Sequence, residues 1–178
     1  MKVFLASAAL SLIGNAIIGI TPASATELPR DLAALQRWVV ENLNCSDTFT
    51  VGLQDRSFID RMKALGVVVT TEWQEGDTPD GEFTLLAPVK FAGQSVTHFR
   101  YWADSGGEFY AIVDAPAEIL AKALGAEPVP DKLRHDVGDE TVAIRFIRAE
   151  SHVERYPPAV FVRHAGSGSE TGCRFFDG

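Results

Sequence analysis

The chain has 178 residues, of which 46% are hydrophobic and 22% charged, and its formal net charge at pH 7 is −8. This hydrophobic content excludes a disordered chain, and the length is that of one domain with a substantial core. An acidic chain repels phosphate backbones and anionic lipid headgroups, so we expect neither nucleic acids nor membrane surfaces as partners.

The first 25 residues have the pattern of a cleavable signal peptide. Lys2 precedes an apolar run over residues 3–20, and Ala23 and Ala25 supply the small residues that signal peptidase accepts. An uncleaved membrane anchor is the alternative, because a run of this length just spans a bilayer. We expect cleavage after Ala25, which leaves residues 26–178 as a single exported domain without membrane contact. Loss of Lys2 changes the net charge from −8 to −9.

The chain contains two cysteines, Cys45 and Cys173. Exported proteins meet an oxidising compartment, so the pair is predicted to form a disulfide. The bridge would join the end of the first predicted helix to the last predicted strand. It would close a loop of roughly 130 residues, for which the chain-entropy model gives about 5 kcal/mol of stabilisation. A reactive thiol or a metal site is the alternative, but the two cysteines form no C-x-x-C motif.

Apolar residues at helical spacing predict three helices, over residues 29–44, 57–66 and 116–125. Ser57 resembles the capping residue of the second helix, and glycines end the second and third. Residues 126–140 contain two prolines and seven charged residues. We therefore expect this segment to be an exposed excursion.

Segments rich in β-branched and alternating residues predict about seven short strands. Turn-forming glycine, proline and aspartate residues separate most of them. The order of helices, strands, helix and strands is typical of an α+β fold with a largely antiparallel sheet, and not of alternating βαβ units. The predicted strands cover residues 67–73, 82–89, 94–102, 108–113, 141–148, 159–164 and 172–176.

The predicted hairpin over residues 94–113 has two faces whose composition depends on its loop length. A loop of three or five residues places Arg100 opposite Tyr110 on the face away from the core, whereas two or four residues would mix the faces. In the first case the core face holds Thr97, Phe99, Tyr101, Phe109, Ala111 and Val113, and the other face holds His98, Arg100, Trp102, Tyr110 and Ile112.

The residues Arg100, Trp102 and Tyr110, with His98 nearby, form the candidate binding surface. Arginine, tryptophan and tyrosine anchor many interfaces, because each offers a large contact area and a polar group. In the alternative, a helix covers this face and the aromatic residues belong to the core. The sequence leaves both interpretations open.

Two short motifs resemble those of enzyme families. Residues 104–107 resemble the nucleophile loop of chymotrypsin-like serine proteases, but the His and Asp of that family are not suitably placed upstream, so we predict that Ser105 is not a nucleophile. Residues 162–166 resemble the Arg-His-Gly signature of histidine phosphatases, but too few residues follow to complete such a pocket. We interpret Arg163 and His164 as residues of an edge strand.

The sequence predicts neither a metal site nor a cofactor. The acidic residues within 75–82 lack the spacing of a calcium loop. The histidines fall on separate predicted elements without an i, i+4 pair, and zinc would need them to converge. These histidines are His98, His135, His152 and His164.

Small size, acidic charge and a single disulfide, without a set of catalytic residues, favour a non-catalytic exported protein. We expect a periplasmic or secreted binding domain, such as an inhibitor or immunity-type protein, with a basic exported protein as its partner. A small exported hydrolase that uses carboxylate and histidine residues for acid–base catalysis is the alternative. A structural envelope protein is a third interpretation.

Overall fold

The computed structural model describes residues 29–46, 56–70, 80–103, 106–147 and 157–175. These residues form one antiparallel sheet of eight strands, with four α-helices and a short 3-10 helix. The α+β class predicted from the sequence is confirmed, with one strand and one helix more than expected. The predicted signal peptide, Ser105 and His152 lie outside the described residues.

The strands follow the order β1-β2-β3-β4-β8-β7-β6-β5 across the sheet. The strands β1 to β4 are therefore neighbours in chain order, starting from one edge of the sheet. The strands β5 to β8 are also neighbours in chain order, starting from the other edge, and β8 pairs with β4. The strands are β1 (Val67–Val69), β2 (Asp80–Phe91), β3 (Gln94–Ala103), β4 (Gly107–Val113), β5 (Glu127–Pro128), β6 (Thr141–Phe146), β7 (Ala159–Ala165) and β8 (Gly168–Phe175).

Three helices pack on one face of the sheet, which we call the helix face. They are α1 (Leu32–Leu43), α2 (Arg56–Ala64) and α3 (Ala117–Leu124). The main core lies between these helices and the sheet, and rings from both sides meet there. Trp38 of α1, for example, contacts Phe58 of α2 and Phe109 of β4, with ring centroids 4.8 and 5.5 Å away.

The helix ends are set by capping groups. The first helix begins at Leu32 and not at the predicted residue 29, because the Asp31 side chain accepts the N–H of Ala34 over 2.7 Å. The second begins at Arg56, so Ser57 lies within its first turn and is not the cap that we predicted. The third follows Pro116 and ends at Gly125, whose φ of 62° is left-handed, as expected.

Residues 126–140 are mostly exposed, as expected, but they are structured and three apolar residues of the segment are buried. They form β5, a 3-10 helix at Asp131–Leu133 and α4 at Arg134–Val137. Residues at intervals of four along this segment are apolar, and they bury themselves against β6 and β7 in a second small core. That core contains Val129, Leu133, Val137, Ile144 and Ala159. We call residues 129–137 the cap segment.

The predicted Cys45–Cys173 disulfide is present and joins the residues after α1 to β8 across 128 positions of sequence. The strand β8 begins at Gly168, four residues earlier than predicted, because Gly166 and Ser167 alone make the turn from β7. Gly166 has a φ of 58°, which suits such a tight hairpin. Among the described residues, no helix combines the length and apolar character that a bilayer span requires.

Candidate functional site

The hairpin of β3 and β4 has the pairing that the three-residue loop predicts. Ala103 pairs with Gly107, and Arg100 lies directly opposite Tyr110. Side chains of the predicted core face are buried, apart from Thr97, which is half-buried. The alternation along both strands therefore places His98, Arg100, Trp102 and Tyr110 together on the face opposite the helices, which we call the second face.

The second face is covered at one end and open at the other. The cap segment packs over β6 and β7, whereas the side chains that β1 to β3 place on this face are exposed or half-buried. We call the region over β1 to β3, together with the exposed end of β4 at Ile112, the open half. Four large hydrophobic side chains on these strands are exposed. Each of them follows or precedes a residue that faces the core, and because successive side chains of a strand alternate between faces, these four lie on the second face. They are Val68, Leu86, Trp102 and Ile112.

The four residues predicted for the binding surface differ in accessibility. His98 is exposed, with its Nδ1 3.0 Å from Thr97 Oγ1. Trp102 is 36% exposed, and the Arg100 side chain is 43% exposed. Tyr110 is 5% exposed, so this one member of the predicted surface belongs to the interior.

A buried carboxylate lies at the boundary between the open half and the covered end. The side chain of Glu108 on β4 is 1% exposed. Its Oε2 accepts the indole N–H of Trp102 over 3.1 Å and a guanidinium N–H of Arg163 over 2.9 Å. Its Oε1 accepts Nε–H of Arg174 over 2.5 Å. Donors from β3, β7 and β8 thus converge on one side chain of β4.

The two arginines have further partners around this carboxylate. Arg163 donates from Nε to Glu170 over 2.6 Å, and its guanidinium lies 4.8 Å from the centroid of the Tyr110 ring. Arg174 donates to the main-chain oxygen of Val137 in the cap segment over 2.7 Å. Two carboxylates and two guanidiniums therefore balance their charges at the edge of the covered region.

A glycine allows the rings of this region to meet. Gly172 on β8 lies between Tyr110 on β4 and Phe161 on β7 in the sheet. Because Gly172 has no side chain on the second face, the two rings contact each other edge to face, with centroids 6.0 Å apart. The Phe161 ring and the Arg163 guanidinium both lie against the Tyr110 ring, which is 5% exposed.

Burial and charge shift the pKa values of two groups in the cluster. Burial of the Tyr110 hydroxyl, aided by the nearby Glu170 carboxylate, raises its pKa above the ordinary value of 10.0. Burial alone would lower the pKa of Arg163, but the charge of Glu108 and the hydrogen bond to Glu170 outweigh it and raise that pKa. Arg163 is therefore a permanent cation.

The contacts of Glu108 define what it can do chemically. A carboxylate has about four acceptor positions, and the indole and the two guanidiniums occupy both oxygens of Glu108. A general base must leave a lone pair open to the substrate. Glu108 therefore acts as an acceptor that gathers donors from neighbouring strands.

Glu108, Glu170 and Arg174 were not among the predicted site residues, and Arg163 lies in a different part of the sheet than predicted. The strand β7 pairs with both β6 and β8, so Arg163 and His164 do not lie on an edge strand as we predicted. The sequence contained one indication of Glu108, because the alternation of side chains along β4 places it on the same face as Tyr110 and Ile112. The pairing of β4 with β8 could not be derived from the sequence, and it is this pairing that puts Arg174 opposite Glu108.

A groove of about 450 Å³ lies elsewhere, between α1 and β2. The Gln36 side chain crosses from α1 to the main-chain oxygens of Ala87 and Pro88, at 3.5 and 3.4 Å. Pro88 has no N–H to offer an additional strand. Both features hinder the pairing of an additional strand with this edge of β2.

The described residues contain no group of three or more His, Cys, Asp or Glu side chains that could hold a metal ion. Comparison of the whole chain with models of protein families, with curated proteins and with solved structures finds no match in any of the three.

Proposed function

We propose that this protein is an exported, non-catalytic binding domain that docks on a partner protein through the open half of the second face. The observation that carries the proposal is Trp102, whose ring is exposed at the surface while its N–H is held by the buried Glu108. A tryptophan with its polar atom satisfied beneath it offers a large apolar area without a desolvation cost for the N–H.

The surroundings of Trp102 suit an interface. Val68, Leu86 and Ile112 are exposed on the same open half, four to six residues along the strands from the row of Asp80, Trp102 and Glu108. The exposed apolar side chains are therefore spread over the open half, and an extended apolar surface of this kind is typical of binding sites. Beside them, Arg100 keeps a buried Nε atom without a hydrogen-bond partner in the described part of the chain. A partner cannot reach this buried atom, but the Arg100 side chain is 43% exposed, so its outer guanidinium N–H groups can donate to an acceptor oxygen of the partner.

Charge indicates the chemistry of the partner. The chain carries a net charge of −8, and the acidic residues Asp80 and Glu82 lie beside the open half. A basic protein would be steered toward such a surface, and the steering would weaken as salt screens the charges. We therefore propose a basic exported partner with an apolar centre and an acceptor group facing Arg100.

Export is part of the proposal. The signal-peptide pattern of residues 1–25 and the Cys45–Cys173 disulfide both support it, because disulfides persist in the periplasm or outside the cell. Sequencing the N-terminus of the protein recovered from the envelope and the medium tests this directly. We expect Thr26 as the first residue, and a chain that begins at Met1 would contradict export by cleavage.

Docking is tested with a photo-crosslinking amino acid at Ile112, followed by purification of the captured protein. Affinity for the purified partner is then measured by titration calorimetry for the wild type and for Trp102→Ala. We expect Trp102→Ala to weaken binding roughly thirtyfold or more, the effect of losing about 2 kcal/mol at a true anchor.

The matched control is Ile119→Ala, which truncates another exposed apolar side chain, on α3 at the opposite side of the sheet. All variants must first show the same melting temperature. Equal affinities for wild type, Trp102→Ala and Ile119→Ala would refute docking through the open half. Unfolding of Trp102→Ala would show instead that the indole is required by the fold.

A further inference from the structure

Glu108, Arg163 and Arg174 form a buried charged cluster, which we call the Glu108 cluster, and burial of its charges has a large desolvation cost. Its carboxylate is 1% exposed, and the side chains of Arg163 and Arg174 are 17% and 14% exposed. Removing three charged groups from water costs several kcal/mol per ion, and their mutual attraction offsets that cost only in part. Replacing such clusters by apolar residues is often neutral or stabilising. Stability alone therefore does not account for charges at this position.

What the cluster does achieve is a fixed position for the Trp102 ring. The Glu108 oxygen that accepts the Trp102 N–H also accepts Arg163, and the second oxygen accepts Arg174. Because the two arginines hold the carboxylate from one side, its remaining acceptor position points toward Trp102 on β3. Trp102 lies directly opposite Glu108 in the hairpin, so the indole meets this position without leaving its own strand.

We propose that Glu108 is a positioning residue, which fixes the indole of Trp102 in the orientation that the open half presents. The same carboxylate ties this orientation to the cap segment, since Arg174 contacts both Glu108 and the Val137 main-chain oxygen. The inference rests on the proposed function only in taking Trp102 as a docking residue.

A fixed tryptophan has a measurable advantage in binding. Ordering a mobile side chain on association costs binding free energy, and that cost disappears when the side chain is already held in the free protein. For a single side chain the saving corresponds to roughly two- to tenfold in affinity. Glu108 would supply this advantage without touching the partner itself.

The test uses the free, full-length exported protein without a partner. The indole ¹⁵N–¹H resonance of Trp102 is assigned among the three tryptophans by its loss in Trp102→Phe. We expect its N–H to exchange with solvent at least roughly tenfold more slowly than a free indole, because it is bonded to a buried charged acceptor. Exchange at the rate of a free indole would overturn the inference.

The variant Glu108→Leu/Arg163→Met/Arg174→Met replaces the cluster by apolar side chains. We expect it to fold with a lowered melting temperature, because Glu170 loses its partner Arg163, while Trp102 loses its slow exchange and becomes more accessible to quenching by iodide. The matched control is Arg134→Met, whose side chain is 50% exposed and contacts Asp131 outside the cluster. This control should leave Trp102 unchanged.

Two further results complete the test. Unchanged exchange and quenching of Trp102 in the folded triple variant would overturn the inference. If the triple variant does not fold, Glu108→Gln serves in its place, because it keeps the size and one acceptor oxygen but loses the charge. Exchange of Trp102 in Glu108→Gln should then be faster than in the wild type, and equal rates would overturn the inference. Since no partner is present, failure here is distinct from failure of the proposed docking.

Discussion

Arg174, on the last strand, donates a hydrogen bond of 2.7 Å to the main-chain oxygen of Val137 in the cap segment. The same guanidinium contacts Glu108, which in turn holds Trp102. The covered end of the second face is thus joined to the open half by side chains that cross three neighbouring strands. The cap segment is therefore part of the candidate site, although it lies at the other end of the sheet.

Removal of the Glu108 carboxylate should destabilise the protein strongly. In Glu108→Ala, Arg174 and Arg163 lose the acceptor that balances them in a buried position. Breaking one partner of such a buried ion pair typically costs about 3–5 kcal/mol. We expect a loss of this size in the free energy of unfolding, measured by urea denaturation at pH 7.

The control for this prediction is Glu82→Ala. Glu82 also faces an arginine, but its oxygen is 4.0 Å from Arg100 Nε and its side chain is 34% exposed. Such exposed pairs contribute about 1 kcal/mol or less. Equal effects of the two substitutions would show that burial of Glu108 is not what makes its charge important.

Leu133 tests whether the cap segment belongs to the folded core. It is 8% exposed and packs in the second small core with Val129 and Ile144. Leu133→Ala removes buried methyl groups and leaves a cavity, which typically costs about 2–5 kcal/mol. Urea denaturation should show this loss, whereas Leu32→Ala, at a side chain that is 36% exposed, should change stability much less. A neutral Leu133→Ala would mean that the cap segment contributes little.

The sequence predicted the α+β class from local patterns, and it predicted the disulfide from the two cysteines of a chain that is expected to be exported. The alternation of apolar residues defined two possible arrangements of the β3–β4 hairpin, but the choice between them depended on the loop length, which the sequence left open. The pairing of Ala103 with Gly107 shows that the arrangement with a three-residue loop is present. The charges of residues 126–140 indicated correctly that most of this segment is exposed, but they outnumbered the apolar residues at intervals of four, so the small core that those residues form was not predicted.

The candidate site was less predictable because it depends on contacts between distant segments. Glu108 and Arg174 are 66 residues apart, and Arg163 reaches Glu108 across 55 residues. No local periodicity reports such a convergence. The pattern did identify Trp102 and Arg100 as residues of the second face, but it could not show that Tyr110 is covered by an arginine.

Loss of the Cys45–Cys173 disulfide should destabilise the protein without changing its fold. The bridge closes a loop of 128 residues and fastens the end of α1 to β8. We expect Cys45→Ala/Cys173→Ala to lose about 2–5 kcal/mol of unfolding free energy, since the unfolded chain gains freedom. Chemical denaturation measures the loss, and intact mass after alkylation, with and without reduction, verifies the bridge. Two alkylated thiols in the unreduced protein would contradict the disulfide.

Tyr110 should make stability depend on pH in the alkaline range. Burial raises the pKa of its hydroxyl above 10.0, so the folded protein holds this proton more tightly than the unfolded chain does. The corresponding stability is fully present below pH 10 and is lost as the pH rises through the pKa of the folded state. Urea denaturation at several pH values should show this decline.

Tyr110→Phe is the matched variant, because it keeps the ring between Arg163 and Phe161 but removes the group that titrates. The difference in absorbance at alkaline pH between wild type and variant isolates the ionisation of Tyr110. We expect its midpoint above pH 10, and we expect the variant to lose less stability than the wild type as the pH is raised. A midpoint at or below 10, or an identical decline in both proteins, would contradict the buried environment that Gly172 makes possible for this ring.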